Sequence, residues 1–212
     1  MRDFAMLGLA AVTFALLTGC GELRLSNAVG PRDYVAADYE DVLSKWTRSG
    51  GLLNFSEADD HLTVTATYQA WDFRFAYVER YAEDFRLSLS QKLAMRAEAA
   101  SDETENYRFY VAMYGSKPRW GTLAGKDSAW VVRLVDDEGH ESNAAEIVAV
   151  PRPGALETRY YPYTTPWRNV FLLKFLRKTL DGTPAIRAGS QWMALRFAGP
   201  QGHRDVRWLL KP

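Results

Sequence analysis

The sequence of 212 residues has little cysteine and histidine, and this scarcity excludes several kinds of protein. Cys20 is its one cysteine, so no disulfide can form within the chain and the fold must depend on its core. The three histidines, His61, His140 and His203, lie far apart, without the spacing of metal ligands on one helix or strand. We therefore predict no metal site and no cofactor.

Motifs for catalysis and phosphate binding are also lacking. No G-x-S-x-G nucleophile motif and no glycine-rich phosphate loop occurs, so no catalytic residue is predicted. Acidic pairs such as Asp59-Asp60 and Asp136-Asp137 leave one enzymatic alternative open, since scattered carboxylates can converge into a glycosidase pair. The 26 basic and 26 acidic residues balance, which argues against nucleic acid as a partner.

Long apolar runs are absent except near the amino terminus. The run from Phe4 to Leu17 is shorter than the roughly 20 apolar residues that span a bilayer, and it has the length of a signal-peptide core. Residues 1–19 are therefore predicted to be a signal peptide.

The four residues Leu17-Thr18-Gly19-Cys20 end this run with two small residues and the single thiol. They resemble the lipobox of bacterial lipoproteins. The resemblance implies cleavage after Gly19, diacylation of the Cys20 sulfur and acylation of the new amino terminus. It also favours the outer membrane of the cell envelope, because Gly21 and Glu22 replace the aspartate that retains such lipoproteins at the inner membrane.

The remaining chain is long enough for one domain. Residues 20–37 show no sustained periodicity and contain Gly30-Pro31, which predicts a lipidated tether. Residues 38–212 then form a single domain, and 7 Trp, 11 Tyr and 10 Phe supply its core.

Two helical stretches are predicted in this domain. Asp38 is placed as the N-cap of a short helix that Gly50-Gly51 would stop. A helical insertion at about 72–105 begins at Asp72, where aromatic residues recur every fourth position, and its second helix would begin at Ser90.

The rest of the domain has the period-two pattern of strands. His61–Ala70 alternates apolar residues with threonines, as a half-buried strand does. Trp130–Leu134 alternates in the same way, and after a turn the chain is expected to form a returning strand at Ile147–Val150. About seven such strands favour a mainly β, two-sheet antiparallel sandwich of the immunoglobulin-like kind. The alternative is an α+β fold with the helices on one face of a single antiparallel sheet.

The segment before the predicted strand at 168–177 is the candidate binding site. It contains Tyr160, Tyr161, Tyr163 and Trp167 together with two prolines, which stiffen the chain. Rings held outward would form a platform for sugars or partner proteins, whereas rings turned inward would cover an open end of the sandwich.

These observations favour a membrane-anchored envelope lipoprotein that acts as a non-catalytic binding or scaffolding module. Its partners would be the membrane, through Cys20, and an envelope protein or peptidoglycan. The alternatives are an envelope enzyme acting on peptidoglycan or lipid, and an accessory lipoprotein of a secretion or surface machine.

Overall fold

The computed structural model describes residues 33–54, 59–179 and 181–210. Cys20, the signal peptide and residues 20–32 of the predicted tether lie outside the described residues. The elements in chain order are α1 (Tyr39–Trp46), β1 (Thr47–Asn54), β2 (Asp59–Tyr68), α2 (Trp71–Asp84), α3 (Leu89–Glu105), β3 (Asn106–Tyr114), β4 (Val131–Asp136), β5 (Glu141–Asn143), β6 (Glu146–Val150), α4 (Ala155–Tyr160), β7 (Asn169–Leu176), β8 (Trp192–Gly199) and β9 (Gly202–Leu209).

The strands form two antiparallel sheets, which confirms the predicted sandwich with a helical insertion. The five-stranded sheet has the order β1-β2-β3-β7-β6, and the four-stranded sheet has the order β5-β4-β8-β9. The single-sheet alternative is not observed, although α2 and α3 do lie over the outer face of the five-stranded sheet.

The core lies between the two sheets. Alternate side chains of β2, β3 and β7 share the inner face and are buried: Leu62, Val64, Ala66, Tyr68, Phe109, Val111, Met113, Phe171, Leu173 and Phe175. Trp208 of β9 meets them from the other sheet, with its ring 5.2 Å from that of Phe109. Its indole Nε1 donates to the carbonyl of Trp46, 2.8 Å away, and so connects α1 to the core. The predicted hairpin of β8 and β9 is observed.

The helical insertion occupies the predicted part of the chain with shifted boundaries. Helix α2 begins at Trp71, so Asp72 lies in its first turn. Ser88, and not Ser90, caps α3, because only Ser88 has a glutamine three residues later to complete a capping box.

Three other expectations were wrong. Gly50-Gly51 does not stop α1 but lies within β1, where Gly50 leaves room for Arg204 and Val206 of β9. The strand at Ile147–Val150 pairs with β7 in the other sheet, and β5 is the partner of β4. The packed domain begins before Asp38, because Tyr34 is buried with its ring 6.2 Å from that of Trp71.

Candidate functional site

The aromatic segment is largely turned inward. Tyr160 is 2% exposed, Tyr161 is 7% exposed, and Tyr163 is partly buried against the core. Trp167 differs from these three, since 80% of it is exposed. Of the two arrangements that the sequence left open, the outward platform of four rings is not observed, and Trp167 alone of the four is presented to solvent.

Tyr161 joins the helical layer to the five-stranded sheet. Its ring stacks on that of Tyr110 in β3, with the centroids 3.7 Å apart and the planes 5° from parallel. The ring of Phe73 in α2 lies 6.0 Å from the Tyr161 ring, with the two planes tilted by 33°. The Gln69 side chain donates a hydrogen bond of 2.8 Å to the Tyr161 hydroxyl. The Tyr161 side chain is thus held by two aromatic neighbours and by a hydrogen bond at its hydroxyl.

The residues after Tyr161 cover the outer face of the sheet, and not an open end of the sandwich. The Tyr163 hydroxyl lies 2.6 Å from the Thr67 hydroxyl, and the Thr164 hydroxyl lies 2.8 Å from that of Tyr110. Thr65 and Thr67 are consequently buried, so β2 is covered on both faces instead of one.

A cleft of about 480 Å³ lies beside this segment, between the outer face of the sheet and helices α2, α3 and α4. Its walls are mostly aromatic and aliphatic, with a polar group at one side, and the lining residues are Gln69, Phe73, Arg74, Tyr77, Val78, Met95, Glu98, Ala99, Asp102, Arg108, Tyr110, Val150, Leu156, Glu157, Tyr160, Tyr161 and Leu172. Burial raises the pKa of Tyr77 and of Tyr110 to about 12, so both phenols are uncharged at neutral pH. Walls of this kind with few polar groups are typical of small-molecule sites.

The polar side of the cleft is an arginine–aspartate–arginine cluster. Arg108 of β3 donates two hydrogen bonds of 2.6 Å to the Asp102 carboxylate of α3, and Arg74 of α2 pairs with the same group. Burial opposes ionisation of Asp102, but the hydrogen bonds from Arg108 and Arg74 outweigh it and hold the pKa of this carboxyl below its usual value. Asp102 is therefore a fixed anion at neutral pH.

Arg74 is unusual within this cluster because it is 8% exposed. Its Nε donates to the Gln69 carbonyl at 2.7 Å, while its Nη2 has no hydrogen-bond partner among the described residues. A buried guanidinium nitrogen without a hydrogen-bond partner lowers the stability of the fold. A ligand atom that accepts a hydrogen bond from this nitrogen at the polar side of the cleft would remove that cost.

Little in the sequence indicates this cluster. Arg74, Val78 and Ala82 recur every fourth residue along the buried side of α2, so an arginine within an apolar stripe was the available signal. Asp102 lies in a polar run of the sequence and Arg108 between two aromatic residues of a strand, and nothing there relates either of them to Arg74.

The described residues offer neither a metal-binding cluster nor a membrane-spanning helix. Within the ranges that the structure describes, no group of three or more histidine, cysteine, aspartate or glutamate residues could hold a metal ion. Among the helices of those same ranges, none is long and apolar enough to cross a bilayer.

Comparisons with protein-family models, curated proteins and solved structures give no match for this chain.

Proposed function

We propose that the chain is a lipid-anchored envelope protein whose domain is a non-catalytic binding module, and that the cleft on the outer face of the five-stranded sheet is its ligand site. The observation that carries the proposal is the cleft itself, about 480 Å³ in volume, with aromatic and aliphatic walls beside one polar cluster. The anchor rests on the sequence Leu17-Thr18-Gly19-Cys20.

The lining defines the chemistry of the ligand. Leu156 and Leu172 are partly exposed at the cleft and offer apolar contact beside the tyrosine rings. Arg74 and Arg108 share Asp102, and Glu98 also lines the cleft, so the polar side presents both signs of charge. Such a site suits an amphiphile with an apolar body and a hydrogen-bonding polar end.

An enzyme acting on peptidoglycan or lipid has weaker support. Of the three carboxylates at the cleft, Asp102 is held ionised by two arginines and Glu157 accepts the Gly154 backbone N–H at 2.7 Å. Glycoside hydrolysis needs two carboxyl groups in complementary roles, and Glu98 alone does not supply the pair.

The experiment compares two leucines on the helical layer. Leu156 lines the cleft and is 45% exposed, whereas Leu93 of α3 is 53% exposed and lies outside the cleft. The chain beginning at Gly21 is titrated with Nile red, a neutral amphiphilic fluorophore. We expect saturable binding that Leu156→Glu weakens by about tenfold or more, the effect of losing roughly 1.4 kcal/mol.

Leu93→Glu is the matched control, since it makes the same change at a similarly exposed position. It should bind the fluorophore as the unmodified chain does. Equal weakening by both substitutions, or by neither, would remove the cleft as the ligand site.

A further inference from the structure

A second cleft, of about 430 Å³, lies where the aromatic segment enters β7. Three prolines and three threonines line it, together with Arg152, Arg168 and Asn169. None of these lining residues is acidic. Thr164 is fixed by its hydrogen bond to Tyr110, so part of this cleft is anchored directly on the sheet.

The basic groups at this cleft are not neutralised. Among the described residues, Arg152 makes no ion pair, and the Arg168 guanidinium donates only to the Thr65 hydroxyl, at 2.8 Å. The Asn169 side chain donates to the Gly121 carbonyl at 2.8 Å, which brings the turn at 117–121 close to the cleft.

That turn adds two more cations. Lys117 and Arg119 are exposed and, within the described part of the chain, have no carboxylate partner. The chain as a whole is neutral, yet this end of the domain carries four basic side chains that form no ion pair with any described residue. A local positive surface of this kind attracts an anionic partner.

Trp167 lies on the rim of this basic surface. It directly precedes Arg168, it is the most exposed of the large hydrophobic residues among those described, and no ring contact holds it. A solvent-exposed tryptophan beside arginines has the composition of a membrane interface, where the indole lies at the level of the lipid head groups.

We propose that this end of the domain docks on an anionic lipid surface, with a lipid phosphate between Arg152 and Arg168 and the Trp167 ring at the interface. The inference rests on the proposed anchor only for keeping the domain near a bilayer. Asp33 is 13 residues after Cys20, a separation of at most about 45 Å, so the anchor alone does not decide which face meets the lipid. The charged surface and Trp167 would decide it.

The test uses the full chain, processed in a bacterium and reconstituted into vesicles that contain brominated acyl chains. Bromine quenches tryptophan fluorescence at short range, and the other six tryptophans are buried or half-buried. We expect strong quenching in vesicles containing phosphatidylglycerol, weak quenching in pure phosphatidylcholine, and loss of the difference at about 0.5 M salt.

Two charge-reversing substitutions are compared, one at the proposed docking surface and one away from it. Arg152→Glu removes a cation that is not paired with a carboxylate of the described residues, and we expect quenching in the anionic vesicles to fall by about threefold or more. Lys178→Glu makes the same change in charge beyond the other end of β7, at an exposed residue, and should leave quenching unchanged.

The outcomes separate this inference from the proposed anchor. If the protein floats with both kinds of vesicle, the lipid anchor is supported. If its tryptophan fluorescence is then quenched equally in both, or in neither, the docking surface is overturned. Protein that fails to float with phosphatidylcholine lacks the anchor, and its retention on anionic vesicles would still support docking if Arg152→Glu abolishes it. Sedimentation with peptidoglycan that depends on Arg152, without bromine quenching, would overturn the lipid assignment.

Discussion

Tyr161 shows how one residue decides what an aromatic segment does. Its ring is stacked on Tyr110 of the sheet and lies near that of Phe73 in α2, and its hydroxyl is hydrogen-bonded. Six residues later, Trp167 extends into solvent. Two rings of the same short segment therefore have opposite roles, one in packing and the other at the surface.

This contrast gives a stability prediction. Tyr161→Ser removes a buried aromatic ring and should reduce the free energy of unfolding by about 3–5 kcal/mol, the usual cost of truncating such a side chain. Trp167→Ser should change it by less than about 0.5 kcal/mol, since an exposed ring loses little burial. Urea melts of both variants provide the measurement, and equal midpoints would contradict the described burial.

The sequence could identify this segment but not the direction of its rings. Prolines and aromatics indicated a stiff, unusual stretch, but the partner of Tyr161 is Tyr110, which is 51 residues earlier and adjacent only after β3 has joined the sheet. Whether the side chain of a loop residue points inward or outward depends on such contacts with residues far away in the sequence. For the same reason the Arg74–Asp102–Arg108 cluster, drawn from two helices and a strand, was not predicted.

At the scale of elements, α3 is much less embedded than α2. It is 17 residues long, yet none of its side chains is buried, and Leu89 and Leu93 are exposed. Ion pairs such as that of Lys92 with Glu79 connect it to α2, and partly exposed pairs of this kind contribute little stability. Helix α2, by contrast, buries six side chains.

We therefore expect α3 to open locally more often than α2. In native-state hydrogen exchange, the amides in the middle of α3 should exchange at least about tenfold faster than those in the middle of α2. Helix α2 is the internal control, because both helices experience the same solvent and the same global unfolding. Equal protection of the two helices would mean that another surface, such as a second copy of the chain, covers α3.

Helices and strands were predicted correctly where a periodic pattern extends over many residues. Predictions failed where an element depends on pairing with a strand far away in the sequence. The alternation in β2 and in the β8–β9 hairpin predicted strands, and the aromatic spacing predicted α2. Gly50-Gly51 has the composition of a stop, but pairing of β1 with β2 and its close approach to Arg204 and Val206 of β9 override that local preference. The sheet that β6 joins depends on β7, about twenty residues later, and the local pattern contains no information about it.

At the scale of the whole molecule, the two clefts adjoin. Val150, at the end of β6, lines both the cleft of about 480 Å³ proposed as the ligand site (the ligand cleft) and the second cleft of about 430 Å³ with Arg152 and Arg168 (the basic cleft). If the basic end rests on lipid head groups, the ligand cleft lies close to the membrane surface. An amphiphilic ligand that leaves the membrane surface would then have a short path into the ligand cleft. The two proposals are therefore compatible in space.

The central claim is that this domain is held at a membrane through Cys20. The most direct measurement is the intact mass of the full-length gene product after isolation from bacterial membranes, followed by fragmentation of its amino-terminal peptide. We expect a chain that lacks residues 1–19 and begins at Cys20, with an acyl group on its amine and a diacyl group on its sulfur. A chain that still carries Met1, or one whose Cys20 thiol is free, would contradict the account.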